Sequence, residues 1–531
     1  MTERETEPTK VESGRVLVMR AAGLVAVAVL LSRILGLVRE VVIRATLGVE
    51  TVPATAYETA SRFPEAIFLI IAGGAIGSAF IPTFAEYFAR EDEEGAWRLF
   101  SAVINLTVLV VTAVAILTMV FAPQFVRFFF AENILNTPDL LPLTVRLMRI
   151  MLISPIIFGV SGIVMGTLNA RQHFLLPALA PSIYNLGIIG GGLLVQPTEL
   201  GLAWGTVVGA LGHLVIQLPG LRQKQARYSA VFTLRDPGVR KVLRLMAPRV
   251  LGLSFSEINK FIILFLTGSM PLGSLPALNS AFRLIIMPQG ILGQALGIAA
   301  FPTFATLAAR SALDEMRQIL TDSLRIVLFL GIPTTIWLMT LRQPLVAILF
   351  QRGIFDAEAT GLVAWALLFY AVGLVALTAL EVIARAFYAL SDTLTPVLAG
   401  GAQVLLMGVL SVWLRDGVFP VLGWQPIGGV ALGLSISNFF EVGLLLWLLR
   451  RKMGGINGRS LLDGIWRMGL AGSVMALAVW LATQLPVVAA NNLFQLLVGG
   501  ITGGISYLSV TILLGVQEVG QFVRFVQRLR R

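Results

Sequence analysis

Apolar residues in this chain run on for twenty or more positions at a time. Each run closes at a cluster of charges or at Gly, Pro and Asn punctuation. About 20 apolar residues carry a helix across a bilayer, so each run predicts a membrane span. Fourteen are expected, near 20–47, 55–89, 97–122, 140–168, 173–194, 199–220, 240–268, 275–308, 316–341, 358–388, 394–415, 425–450, 461–484 and 493–516. The second, fourth, eighth and tenth exceed the thickness of a bilayer and are expected to tilt or protrude. The predicted fold class is an all-α polytopic membrane protein.

The charges between the runs fix an orientation. With the N-terminus in the cytoplasm, about 26 Lys and Arg fall at inner ends and about six at outer ends, a strong positive-inside bias. The densest inner cluster runs from Arg222 through Lys224, Arg227, Arg235, Arg240 and Lys241 to Arg244. Arg450, Arg451, Lys452 and Arg459 form the next, and Arg524, Arg528, Arg530 and Arg531 the last. An even number of spans with both termini cytoplasmic follows. Residues 1–19 mix acid and base ahead of a first run too long and too charged for a cleavable leader, and are read as a cytoplasmic tail.

The pattern also repeats. Pro82-Thr83-Phe84-Ala85, with Ala89-Arg90 after it, recurs 220 residues later as Pro302-Thr303-Phe304-Ala305 with Ala309-Arg310, and Gly77 recurs as Gly297. Pro177-Ala178-Leu179-Ala180 is echoed by Pro396-Val397-Leu398-Ala399, and Arg33-Ile34-Leu35-Gly36-Leu37 by Arg249-Val250-Leu251-Gly252-Leu253. Six spans repeat as six, an even number, so the halves share one orientation and are related by an axis along the membrane normal, with a cleft between two lobes. The expected organisation is an N-lobe over 20–220, a basic linker over 221–239, a C-lobe over 240–450, two added helices over 451–516 and a basic tail over 517–531.

Composition narrows the chemistry. With 56% hydrophobic and 13% charged residues and a mean hydropathy of +0.85, the chain needs lipid as its solvent. It has no cysteine and two distant histidines, His173 and His213, which excludes disulfides, thiolate chemistry and a histidine metal cluster. The net charge of +11 is explained by topology rather than by nucleic acid. Phosphate-cradling loops and nucleophile triads are missing, so no enzyme and no cofactor is expected.

Charges inside spans are expensive and are functional candidates by default. The first span holds Arg33, Arg39, Glu40 and Arg44. Glu40 and Arg44 lie within about 20° of Arg33 along about 16 Å of helix, with Arg39 about 120° away. Such a stripe faces a cleft or another helix. Arg33 and Arg39 are read as cleft residues; Glu40 and Arg44 have the spacing of an ion pair, with Arg44 snorkelling outward. Glu58 and Arg62 have the same spacing in the second span and fit a structural pair or a ligand contact equally well. Arg249, Glu257 and Lys260 lie in the seventh span. Arg283, in the eighth, has no acidic neighbour at helical spacing. Glu381 and Arg385, in the tenth, read as a structural pair. Arginine outweighs acid, and guanidinium holds phosphate oxygens bidentately even when desolvated. The expected cargo is therefore anionic, a phosphate or pyrophosphate. Arg33, Arg39, Arg283, Glu40, Arg62 and Arg249 form the predicted cavity set.

These residues resemble the MurJ (MviN) family of lipid II flippases, within the multidrug/oligosaccharidyl-lipid/polysaccharide exporter superfamily. Ser32-Arg33-Ile34-Leu35-Gly36-Leu37-Val38-Arg39-Glu40 is similar to the family's opening motif. Leu168-Asn169-Ala170 with Phe174, Pro177-Ala178-Leu179 and Asn185 is similar to its fourth connection. The most specific stretch is Phe350-Gln351-Arg352-Gly353-Ile354-Phe355-Asp356, followed by Ala386-Phe387-Tyr388-Ala389 and Asp392-Thr393-Leu394-Thr395-Pro396. The resemblance implies a V-shaped transporter that carries undecaprenyl-pyrophosphate-linked muropeptide outward by alternating access. It makes Arg33, Arg39 and Arg283 the cavity arginines, treats Arg352, Gly353, Asp392, Thr395 and Pro396 as motif positions, and gives the last two spans a lipid-tail groove. Lipid II and the bilayer are the implied partners, with the cell-wall synthesis machinery a further one. A monomer is expected, since the twofold lies within one chain.

Departures accompany the match. Thr55 stands where many members have aspartate, Phe68 where they have arginine, and Ile286 where they often have glutamate. Phe261-Ile262-Ile263 lacks the aspartate of sodium-binding members, which speaks against sodium coupling. Another polyprenyl-pyrophosphate glycan or amphiphile is the alternative cargo. A lipid-modifying membrane enzyme or a non-transporting scaffold fits the short basic loops and the charged spans less well.

Overall fold

Helix starts are written locally. Thr51 accepts a hydrogen bond from Ala54 N (3.1 Å), with Pro53 in the first turn; Asp92 accepts from Gly95 N (2.8 Å) ahead of Glu93 and Glu94; Asp356 accepts from Ala359 N (2.9 Å). Each side chain satisfies a backbone donor that the first helical turn leaves orphaned, and the acids also favour the positive end of the helix dipole.

The computed structural model describes the backbone of residues 10–70 and 79–520. It describes their side chains apart from 10–22, 131, 134, 247–249 and 251–256. Among the described residues every regular element is a helix, with no strand. Backbone contacts divide it into two units, 1–257 and 258–531.

The first unit contains Lys10–Leu47 (α1), Val52–Phe68 (α2), Ile81–Ala89 (α3), Glu93–Val120 (α4), Ala122–Asn136 (α5), Leu140–Met151 (α6), Ile153–Ala170 (α7), Leu175–Leu194 (α8), Thr198–Val215 (α9) and Leu218–Gln223 (α10). Pro237–Thr267 (α11) runs across the division. The second unit contains Ser274–Gln289 (α12), Ala295–Ala309 (α13), Leu313–Thr340 (α14), Arg342–Phe350 (α15), Ala357–Val372 (α16), Leu374–Ala389 (α17), Leu394–Val412 (α18), Phe419–Val421 (α19), Ile427–Lys452 (α20), Gly458–Thr483 (α21), Pro486–Ala489 (α22) and Asn492–Leu513 (α23). A wide turn over Gly290–Gln294 joins α12 to α13, just past Pro288, where the ring removes a ladder hydrogen bond.

Among the described residues ten stretches are long and apolar enough to cross a membrane. An eleventh is added if α16 and α17, bent by 43°, count as one span. These eleven fall on predicted runs. The remaining three runs, 20–47, 55–89 and 240–268, fall on α1, on α2 and α3 with residues 71–78 between them, and on α11. None of the three passes the same test among the described residues.

Each unit has an aromatic-aliphatic core placed by the repeated motif. Phe84 on α3 is fully buried against Phe80 (5.3 Å between ring centroids) and Trp97 (5.6 Å). Its counterpart Phe304 on α13 is fully buried among Leu320, Val382 and Phe387. The turns that follow also match. Glu91 and Ser311 both have positive φ (61° and 56°), and Asp92 N and Ala312 N reach back to Tyr87 O and Leu307 O (3.0 and 2.9 Å). Gln172 and Ser391 repeat this geometry after α7 and α17. Gly77 lies outside the described residues.

The segment after α10, read as a linker, is tied to α4. Asn105 Nδ2 donates to Val231 O (2.9 Å), and the Tyr228 hydroxyl donates to Asn105 Oδ1 (2.7 Å). In the second unit α21 and α23 pack on α14. The Tyr507 hydroxyl donates to Phe329 O (3.0 Å). Arg325 on α14 donates to Ser460 O (2.6 Å) and, through Nη2, to Glu518 Oε2 (3.1 Å). This buried pair fastens the segment after α23 to α14.

Candidate substrate-binding site

Helix α1 carries its charged stripe from an exposed to a covered environment. Arg33 is exposed, beside the exposed Leu30, Leu31 and Ile34. Ten residues on, Arg44 is completely buried. Its Nε donates to Glu40 Oε1 (2.8 Å) and its Nη2 to Glu58 on α2, with both carboxylates almost fully buried. The stripe is therefore one in sequence but two in environment, because α2 covers the far end of α1. Two corrections follow. Arg44 does not snorkel, and Glu58 is held by Arg44 fourteen residues away, a partner that helical spacing cannot reveal. Glu40, predicted for the cavity, is engaged by the same guanidinium.

Arg39 points elsewhere, as its 120° offset requires. It is half-buried, with Cζ 6.0 Å from the ring centroid of Tyr184 on α8, within cation–π range. Its Nε is buried and makes no hydrogen bond. Tyr57 on α2 is in electrostatic range. Asn185, next to Tyr184, donates to Ser32 O (3.2 Å) and ties α8 to α1. Tyr57 and Tyr184 were not singled out from sequence, since an aromatic in an apolar run carries no signal of its own. Arg62 lies 3.7 Å from Glu65, one turn on.

The departures at Thr55 and Phe68 are absorbed by packing. Thr55 is buried. Phe68 meets Phe158 at 4.5 Å, and Phe158 in turn meets Tyr184 (5.0 Å) and His213 (5.2 Å). His213 is no ligand candidate: its Nδ1 lies 2.7 Å from Ser161 Oγ, and Gln217 Nε2 donates to that same oxygen (2.9 Å).

In the second unit Arg283 is half-buried on α12, beside the exposed Ile286. The Arg249 side chain lies outside the described residues. Glu381 and Arg385 form the expected pair (2.6 Å), to which Gln289 Nε2 adds a bond to Glu381 Oε1 (3.0 Å). Among the described residues no group of three or more His, Cys, Asp or Glu is placed to hold a metal ion.

The motif positions build turns. Phe350 and Phe355 are buried 5.9 Å apart, Gly353 takes φ +62° between them, and Arg352 Nη2 caps Ile348 O at the end of α15. Asp392 accepts from Thr395 N (3.0 Å), Thr395 Oγ1 (2.8 Å) and Lys452 Nζ (2.7 Å), which starts α18 and pins it to the end of α20; Pro396 is buried beside it. The Lys452 ammonium, with the two Thr395 donors, holds the Asp392 carboxyl down at about 2. A carboxylate with a depressed folded pKa stabilises above its unfolded pKa of about 3.9 and loses that contribution as pH falls through the folded value. Replacing Asp392 by Asn should therefore lower the melting temperature at pH 7, and the gap to the native protein should close between about pH 4 and about pH 2. Tryptophan-monitored melts at stepped pH check this.

The architecture defines a class first. A solved inward-facing structure of a multidrug resistance MATE family transporter of the MOP superfamily aligns with a TM-score of 0.68 at 14% identity, over 80% of this chain and 94% of that one. That likeness is one of fold, a polytopic bundle of helices.

The family follows from closer matches. The family model described as lipid II flippase MurJ matches residues 43–498. A lipid II flippase MurJ of Burkholderia cenocepacia is 30% identical over 437 residues, covering 80% of this chain and 82% of that protein. A probable lipid II flippase MurJ of Bdellovibrio bacteriovorus is 26% identical over 98% of this chain and 99% of its own length. A solved lipid II flippase MurJ in an inward closed conformation aligns with a TM-score of 0.76 at 25% identity, over 96% of this chain and all of that one. The chain belongs to the MurJ family of lipid II flippases.

Proposed function

We propose that this chain is a lipid II flippase of the bacterial inner membrane, a transporter rather than an enzyme, serving peptidoglycan synthesis. The match to the family model over residues 43–498 carries this reading. In its finer form, fourteen spans form two six-helix lobes related by a parallel repeat, with α21 and α23 added, and both termini face the cytoplasm. The paired Phe84 and Phe304 cores and the matched turns at Glu91 and Ser311 support the repeat. Cargo enters a basic cavity by alternating access, as a monomer, with the cell-wall synthesis machinery downstream.

The pyrophosphate of lipid II is met by Arg33, Arg39 and Arg283, with Arg62 and Arg249 as further contacts and Glu40 in the supporting framework. Arg39 has the best-supported geometry: a half-buried guanidinium, stacked on Tyr184, with a buried Nε that makes no hydrogen bond. A desolvated donor of this kind is satisfied by an anionic oxygen.

Complementation tests the reading. In cells depleted of their own lipid II flippase, the native chain should restore growth. Arg33→Ala, Arg39→Ala and Arg283→Ala should fail at equal membrane abundance. A native chain that reaches the membrane without rescuing would overturn the cargo; variants that rescue fully would overturn the arginine roles.

A further inference from the structure

Several acids of the second unit are matched to bases. Glu381 meets Arg385 (2.6 Å), Asp463 meets Arg467 (2.8 Å), and Glu518 meets Arg325. Glu441 on α20 breaks this pattern. It makes no hydrogen bond or ion pair among the described residues, although it is half-buried on a membrane-spanning helix. At 1.5 Å per residue it lies about 21 Å from the start of α20 and about 16 Å from its end, with exposed Phe439 and Phe440 just before it. It shares a helical face with the buried Ser437 and Leu445, turned toward the neighbouring helices.

Its surroundings offer little compensation. From α17, Tyr388 is in electrostatic range of Glu441, and also of Arg385 and Glu381. Arg385 is already bound to Glu381. From α18, Gly400 faces it: a methyl there would sit 3.5 Å from Glu441 Oε1, and residues 394–412 contain no ionisable group. On α16 the ionisable groups are Glu358 and Tyr370. Glu358 is in the first turn, and the bond from Trp365 Nε1 to Gln425 O (3.2 Å) places that half of α16 alongside the residues before α20; Tyr370 packs on Phe282. Arg283 is the charged group on α12. Arg415 and Asp416, near the start of α20, are paired with each other.

An ionised carboxylate without a cation is costly in this setting, and protonation removes the charge at once. We propose that Glu441 is a proton-binding site within the second unit, loaded and unloaded as the transporter changes conformation; the coupling half of this inference rests on the flippase reading. The chemistry is one proton transfer. In the loaded state the carboxyl keeps its proton. When a conformational change brings water to Glu441, the proton passes to that water and leaves a carboxylate, and the reverse transfer reloads the site. The glycine at position 400 leaves the carboxyl room to move.

Infrared difference spectroscopy on the full-length protein in lipid nanodiscs tests the site without any lipid II. At neutral pH the native protein should show a protonated-carboxyl stretching band that Glu441→Gln lacks, with both melting at the same temperature. Identical spectra overturn the site. In proteoliposomes, an imposed pH gradient should change native lipid II transport several-fold and leave Glu441→Gln indifferent. Equal responses overturn the coupling. A native protein that moves no lipid II under any gradient indicts the cargo assignment instead, and the infrared result still decides the proton site.

Discussion

Replacing Arg44 by Ala should cost about 3–5 kcal/mol of stability, the penalty for leaving buried carboxylates without their cation. Arg44 is fully buried, and one guanidinium serves Glu40 on its own helix and Glu58 on α2. Removal takes the guanidinium from two buried acids whose like charges then oppose each other. Arg44→Lys should recover little, because an ammonium is a point charge and lacks the planar fork that addresses two partners at once. The triple variant with Glu40→Gln and Glu58→Gln should recover much more than the lysine variant, since it removes the stranded charges together with the cation. Melting temperature and yield in detergent, measured across the four proteins, check the order. Equal melting of Arg44→Ala and the native chain would show that the triad carries no stability. The contrast with Arg33 is instructive: it is exposed on the same stripe, so Arg33→Ala should fold normally and fail in transport alone.

How much of this was legible in the sequence depends on the range of the interaction. Long apolar runs are a local property, so eleven spans can be read off the chain. The Glu381–Arg385 pair and the Asp356 and Asp392 caps lie within one helical turn and are equally visible. The recurring Pro-Thr-Phe-Ala motif is legible because a fully buried Phe84 and Phe304 tolerate little change in shape. Partners that meet only after folding were not legible. Glu58 has an arginine four residues away and another fourteen residues away, and helical spacing shows only the first. Arg325 and Glu518 are 193 positions apart. Tyr57 and Tyr184 become neighbours of Arg39 only when α2 and α8 flank α1. The charges of the predicted cavity set are therefore visible as expensive residues, while the partners of Arg44 and the surroundings of Arg39 required tertiary structure.

The second large effect is expected where no charge is involved. Helices α8 and α9 approach so closely that their glycines touch backbone to backbone. A methyl on Gly191 would land on Gly201 O and within 2.8 Å of Gly205 Cα; one on Gly205 would sit 2.6 Å from Gly187 O. These neighbours are main-chain atoms and cannot rotate away, so the helices themselves must part. In a bilayer, where lipid tails are as apolar as side chains, such close packing is a main source of helix association. Gly205→Ala should cost about 1–3 kcal/mol, the usual penalty of overpacking, and Gly205→Leu more. Gly190 supplies the control on the facing helix α8: nothing lies within 4 Å of a methyl there, so Gly190→Ala should be neutral or slightly stabilising through helix propensity. The consequence reaches the site, because α8 carries Tyr184, which stacks on Arg39, and Asn185, which holds Ser32 O. Gly205→Ala should thus lose flipping beyond what its residual folded fraction explains, whereas Gly190→Ala should keep it. Melting curves read beside complementation, at matched abundance, separate the two effects. If Gly205→Ala melts and rescues like Gly190→Ala, then the contact between α8 and α9 does not position Arg39.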